Sequence, residues 1–253
     1  MRSNPQLRKG NSVLPVLDLP PPFRLVTLRE VGDAFLQAQR LAVEEGAGTL
    51  VYVGRFDIAE FAVVLEPDEP LRTARRAFYA GMNALADALL AHAPPEKPIA
   101  IDWPDAIRVD GGLVGGGRLA WPAGTAESSV PDWLVFGASI RLVALSKEEA
   151  GLRPLATALE QEGFDDVGSG RLVESFARHL MRTLDSWRAG ELAAVTRRYV
   201  DRLRLEKGAI PSLAREGDLL VRWRGKAEPD RHSLAEALAT PSWLDPATGG
   251  PRS

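Results

Sequence analysis

The chain contains no cysteine. That excludes disulfides, thiolate nucleophiles and cysteine-bound metals. Histidine is scarce. His92, His179 and His232 lie far apart, and none has a partner at His-x-x-x-His spacing, which argues against a histidine zinc site. Lysine is scarce too: Lys9, Lys97, Lys147, Lys207 and Lys226 are the only ones among 31 basic residues. The side chains able to meet a phosphate or carboxylate are therefore mostly guanidiniums. No apolar run approaches the roughly 20 residues of a membrane span. Arg2, Arg8 and Lys9 are not followed by the continuous apolar stretch of a secretory signal. With a net charge of −3 and a pI near 5.8, general electrostatic attraction to nucleic acid is not expected. These absences predict a cytoplasmic protein with no membrane or nucleic-acid partner.

What is present suits an ordinary globular chain. Its 253 residues are 45% hydrophobic and 26% charged, enough for one domain of moderate size with a small appendage. Residues 1–22 read as an extended tail, because Pro15, Pro20, Pro21 and Pro22 block helix and interior strand. A short strand is expected over 23–26. Thr27 then reads as a helix cap with Glu30 as its capping-box partner, and the helix runs on through Phe35, Ala38, Leu41 and Ala42. Strands are expected over 49–53 and 58–65, joined by Gly54-Arg55-Phe56-Asp57. Residues 71–92 carry apolar side chains at helical spacing, with Arg72, Arg75 and Arg76 read as a solvated face. A strong strand over 131–145 follows a polar loop. Helices are expected over 155–163, 171–187 and 192–203. A hairpin over 208–224 and a short helix capped by Ser233 form the appendage, residues 205–246. The Pro- and Gly-containing end, 247–253, reads as a disordered tail.

The stretch 101–122 organises the chain. Ile107 and Val109 alternate with Arg108 and Asp110, and Asp110-Gly111-Gly112 is a hairpin signal. Gly115, Gly116 and Gly117 follow, then the cation Arg118. Three glycines in a strand leave nothing to pack, so they mark either close approach of a ligand or backbone, or a bulge. A cation beside that gap suits a phosphate or carboxylate.

Several of these patches together resemble the biotin/lipoate protein ligase family. Asp102-Trp103-Pro104-Asp105-Ala106-Ile107 stands where that family has Lys-Trp-Pro-Asn-Asp-Leu. Gly112-Leu113-Val114-Gly115-Gly116 stands at its Lys-Leu/Ile-Ala-Gly segment. Gly137-Ala138-Ser139-Ile140-Arg141 stands at its nucleotide-side Gly-x-Gly-x-Asn strand, and the helices over 171–203 resemble its closing helices. The hairpin over 208–224 is similar to part of the small barrel domain that follows the catalytic domain in many biotin ligases. The resemblance implies an α+β fold: a mixed, largely antiparallel sheet flanked by helices, here over 23–204. It implies activation of biotin or lipoate with ATP and magnesium, then transfer to a lysine of an acyl-carrier domain. The chain departs from the pattern at its cations. Both family lysine positions are occupied otherwise, by Asp102 and Gly112. The Asn-Asp pair is Asp105-Ala106, which leaves Asp105 to meet the metal, and the Gly-Arg-Gly-Arg loop is reduced to Gly54-Arg55. Carried over on this resemblance, Arg55 and Arg118 would take the catalytic place of the lysine. Trp103, Asp105, Arg108, Gly115, Gly116, Gly117, Gly137 and Ser139 would line the substrate and nucleotide site. Three readings stay open: a divergent ligase, a non-catalytic relative that binds an acyl group or carrier protein, or a structural partner subunit.

Overall fold

The computed structural model describes residues 17–30, 32–144, 155–165 and 167–252. Ten strands and six α-helices are found among them. In the larger sheet the order is β1-β2-β3-β7-β6-β5-β4, formed by β1 Arg24–Leu28, β2 Thr49–Val53, β3 Ile58–Leu65, β7 Leu134–Arg141, β6 Gly112–Ala120, β5 Ala106–Val109 and β4 Ile99–Asp102. Only β1 and β2 pair in parallel; every other neighbour is antiparallel. This is the mixed, largely antiparallel sheet expected from the sequence. A separate three-stranded sheet, β10-β9-β8, comprises β8 Ile210–Leu213, β9 Leu219–Arg222 and β10 Asp230–His232. It joins the main body at Trp103, whose ring lies tilted 5.9 Å from that of His232 and whose indole donates to Tyr79 Oη at 3.3 Å.

The sheet separates two apolar layers, as period-two alternation requires. One face meets α3 (Ala77–Leu90), α4 (Ser169–Arg188) and α5 (Leu192–Val200) in the main core, which includes Phe61, Phe78, Phe136, Phe176 and Tyr199. The opposite face is covered in two pieces. Over β2, β3 and β7 lies α1 (Ala34–Glu45), whose Ala34, Ala38 and Ala42 pack on Val51, Ala62 and Val135. Over β5 and β6 lies a short C-terminal segment carrying Trp243, packed with Ala106 and Leu113. Between these covers the sheet face is open.

Several local expectations are corrected. β1 runs through Leu28, so Thr27 is paired to Tyr52 rather than capping a helix; the cap is Asp33, whose carboxylate accepts from Leu36 N at 2.9 Å. The helix expected over 71–92 is two, α2 (Leu71–Ala74) and α3, broken at Arg75 and Arg76. Those arginines are not a solvated face. Arg75 is 6% exposed, pairs with Glu127 and lies over Trp121; Arg76 pairs with Glu69 and lies over Trp187. The helix expected over 155–163 is a single 3-10 turn, Leu159–Glu162. The tail expected from 247 is hydrogen-bonded through Arg252: Asp245 N donates to Gly250 O and Arg252 N to Trp243 O. Residues 1–16 of the expected N-terminal extension, and Leu145 of the expected strand, lie outside the described residues. The last helix, α6 (Leu234–Ala239), begins as expected at Ser233, whose hydroxyl accepts from Glu236 N.

Candidate functional site

A cavity of about 360 Å³ lies on the sheet face between the two covers. Ile58, Glu60 and Arg141 form its floor; the β1–α1 loop, the β2–β3 hairpin and residues 248–251 form its walls. Alternation places these residues together. On β7, Gly137, Ser139 and Arg141 share one face, and on β3 so do Ile58, Glu60 and Ala62. Glu60 pairs across to Ser139, which pairs across to Gly116.

The charges of the site are tied to one another. Arg55 meets Asp57 through two bonds, Nε at 3.0 Å and Nη2 at 2.8 Å. That pairing raises the guanidinium's pKa and lowers the carboxyl's. Arg118 reaches Asp33 at 3.2 Å, with its guanidinium 4.1 Å from the Phe35 ring centre. Its pKa is lowered, mainly by burial. Glu60 accepts from Ala34 N at 3.0 Å, the first residue of α1, and burial pushes its carboxyl above the usual range. Arg141 donates to Pro251 O at 2.6 Å and to Arg252 O at 3.2 Å.

Of the residues singled out in the sequence, Arg55 lines the cavity, and Arg118 and Ser139 sit beside it. Gly137 faces Phe35 of α1: a Cβ there would lie 2.5 Å from the ring. The glycine run is explained by the protein's own packing. Gly115 has φ of +148°, and a Cβ on it would lie 1.9 Å from Ser139 O. A Cβ on Gly116 would lie 2.0 Å from Asp105 O and 2.4 Å from the Trp243 ring, and one on Gly117 would lie 2.6 Å from Met82 Sδ. The close approach that these glycines signal at Gly116 is thus the indole of Trp243, whose N–H donates to Gly117 O at 2.9 Å.

Asp105 is 1% exposed and accepts from Ser242 N at 2.8 Å and Ser242 Oγ at 2.5 Å. Burial raises its pKa to about 6. No cluster of three potential metal ligands occurs among the described residues. In this arrangement Asp105 anchors the C-terminal segment and presents no open face to a magnesium ion. Trp103 and Arg108 are also outside the cavity. Arg108 bonds Asp102 at 2.5 Å, and Asp102 also accepts from Arg204 at 2.8 and 3.1 Å. Asp102 therefore fixes the edge of the sheet between two arginines.

Sequence reasoning missed Glu60, Asp33 and the wall 248–251, and it named Arg141 only as a departure from the family's asparagine. The signal for Arg141 was available: it lies two and four residues from Ser139 and Gly137 on one strand. No local pattern marks the wall, because it closes on the site from the far end of the chain.

Comparison with known proteins agrees with the fold. The sequence profile of the biotin/lipoate A/B protein ligase family matches residues 19–201. A crystal structure of a biotin protein ligase-like protein of unknown function from Silicibacter sp. TM1040 superposes with a TM-score of 0.77 at 28% identity, over 89% of this chain and 100% of that one. The Aquifex aeolicus biotin protein ligase, solved with biotin and ATP, gives 0.63 at 14% identity, over 82% of this chain and 94% of that one. The Leishmania major biotin protein ligase, solved with biotinyl-5-AMP, gives 0.52 at 18% identity, over 83% and 99%. A search of curated protein sequences gave no match. No helix among the described residues is long and apolar enough to cross a membrane.

Proposed function

Because this chain belongs to the biotin/lipoate A/B protein ligase family, we propose that it is a divergent ligase of that type, activating a carboxylic acid with ATP and transferring the acyl group to a lysine on a carrier domain. The observation that carries this reading is the cavity on the α1 face of the sheet, with Arg55 and Arg141 in its lining and Arg118 at its edge. Acid activation brings two anions together. A carboxylate oxygen attacks the α-phosphorus and pyrophosphate leaves; the carrier lysine then attacks the acyl carbon and AMP leaves. Fixed positive charge must offset the charge that gathers there. With no lysine among the described residues of the cavity lining, guanidiniums take that part, and they do so as rigid forks rather than as mobile point charges. Biotin or lipoate is the acid in this reading, and a cytoplasmic location goes with the ATP and carrier domain it needs. Magnesium is expected to arrive with ATP rather than through Asp105.

One observation favours a second reading, a non-catalytic relative that binds an acyl group or a carrier protein. Arg55 is already held by Asp57, and Arg118 by Asp33. Activity therefore requires these pairs to open toward the substrates. Pyrophosphate release with ATP, magnesium and, in turn, biotin, lipoate and octanoate separates the two. Release with one acid, lost in Arg118→Ala, supports the ligase. Binding of an acid without release on folded protein rejects the ligase in favour of the binding role.

A further inference from the structure

The segment 242–252 walls the cavity without joining either sheet. Along it only Trp243 and Pro251 are buried. Trp243 is fully buried, yet its cluster with Ala106 and Leu113 is separate from the main core. Leu244 packs against the same small cluster, and the polar ties to the body are Ser242 to Asp105, the indole to Gly117 O, and Arg141 to the carbonyls of Pro251 and Arg252. The segment is also bonded to itself. Asp245 N donates to Gly250 O at 2.9 Å, Gly249 N to Asp245 O at 2.8 Å, Arg252 N to Trp243 O at 2.7 Å and Arg252 Nε to Leu244 O at 2.9 Å. These bonds lie within the segment and do not depend on the sheet. A unit closed on itself and seated by a small cluster outside the main core opens more readily than the core beneath it.

We propose that 242–252 is a strap over the cavity, seated by Trp243 in the notch above Gly116, and that its docked form competes with an anionic ligand for Arg141. The backbone oxygens of Pro251 and Arg252 occupy the positions on this guanidinium that carboxylate or phosphate oxygens would take. When the strap lifts, residues 248–251 leave the cavity wall and Arg141 exchanges those two carbonyls for the oxygens of an entering anion. The strap operates whether or not the site turns over ATP.

Hydrogen exchange on the intact protein tests the strap directly. The amides of Asp245 and Arg252 exchange at least tenfold faster than those of α3 and α4, and Trp243→Ala speeds the strap amides further while leaving the helices unchanged. Strap and helix amides exchanging together, only through global unfolding, would overturn the strap. The cysteine-free chain allows a second measurement that does not depend on Trp243. A thiol at buried Pro251→Cys reacts with a disulfide reagent at least tenfold faster than one at Ala88→Cys in α3. Inorganic pyrophosphate raises the Pro251→Cys rate further, and in Arg141→Met it does not. Equal thiol rates would again overturn the strap, and a Pro251→Cys rate indifferent to pyrophosphate would overturn the competition at Arg141.

Discussion

Replacing Asp105 with asparagine should remove a pH dependence that this one carboxyl builds into the fold. Its pKa is 3.8 in its ordinary state and about 6 in the folded chain, with burial as the largest cause and the two bonds from Ser242 opposing it. The folded state therefore holds the proton more tightly than the unfolded state. Stability from this group is fully present below about pH 4 and is lost as pH rises to about 6, because there the folded chain binds more protons than the unfolded one. Each pH unit between the two values corresponds to about 1.4 kcal/mol, so the loss is about 3 kcal/mol. Asparagine has nearly the same volume and does not titrate. Urea unfolding of both proteins at a series of pH values checks this. The stability of the native protein minus that of Asp105→Asn should fall by about 3 kcal/mol across that window and be flat above it. A difference that stays constant to within about 0.5 kcal/mol would refute the reasoning. It would mean that the Ser242 bonds hold the carboxylate ionised throughout.

Other variants separate packing from the site. Gly117→Ala places a Cβ 2.6 Å from Met82 Sδ and 3.0 Å from the Phe136 ring; the overpacking should cost about 1–3 kcal/mol, read by urea unfolding. Tyr199→Phe removes the buried bond from Tyr199 Oη to Pro104 O at 2.6 Å and should cost about 1–2 kcal/mol in the same assay. Arg204→Ala breaks a half-exposed pair while Arg108 still holds Asp102; it should change stability by no more than about 1 kcal/mol and leave acid binding, followed by calorimetry, unaltered. Arg118→Ala should lower pyrophosphate release at least about tenfold, through loss of charge at the cavity edge.

The resemblance rested on short local patches, and the architecture it implied is the one observed. Alternation along β5, the Asp110-Gly111 turn and the helical spacing of α3 and α4 are local properties of consecutive residues. They are therefore visible in one dimension. Helix starts were less legible, because Thr27 and Asp33 are both competent caps, and the pairing of Thr27 with Tyr52 decides between them. The arginines at 75 and 76 looked solvated because three of their partners, Glu127, Trp121 and Trp187, come from distant segments.

The sequence alone determined that the chain carries no cysteine, only three scattered histidines, and no lysine at either position where its family keeps one. It also determined that glycines would cluster beside a cation on one strand, since those identities are present in the chain itself. Only the tertiary structure decided what the glycines face and whom the cations meet. Asp105 and Gly116 look like ligand residues in the sequence, but in the fold they hold Ser242 and Trp243. Arg141, which drew notice in the sequence only as a departure, lines the cavity. The reason is physical. A notch without a side chain is filled by whichever group packs there at least cost, and that group can lie more than a hundred residues away along the chain.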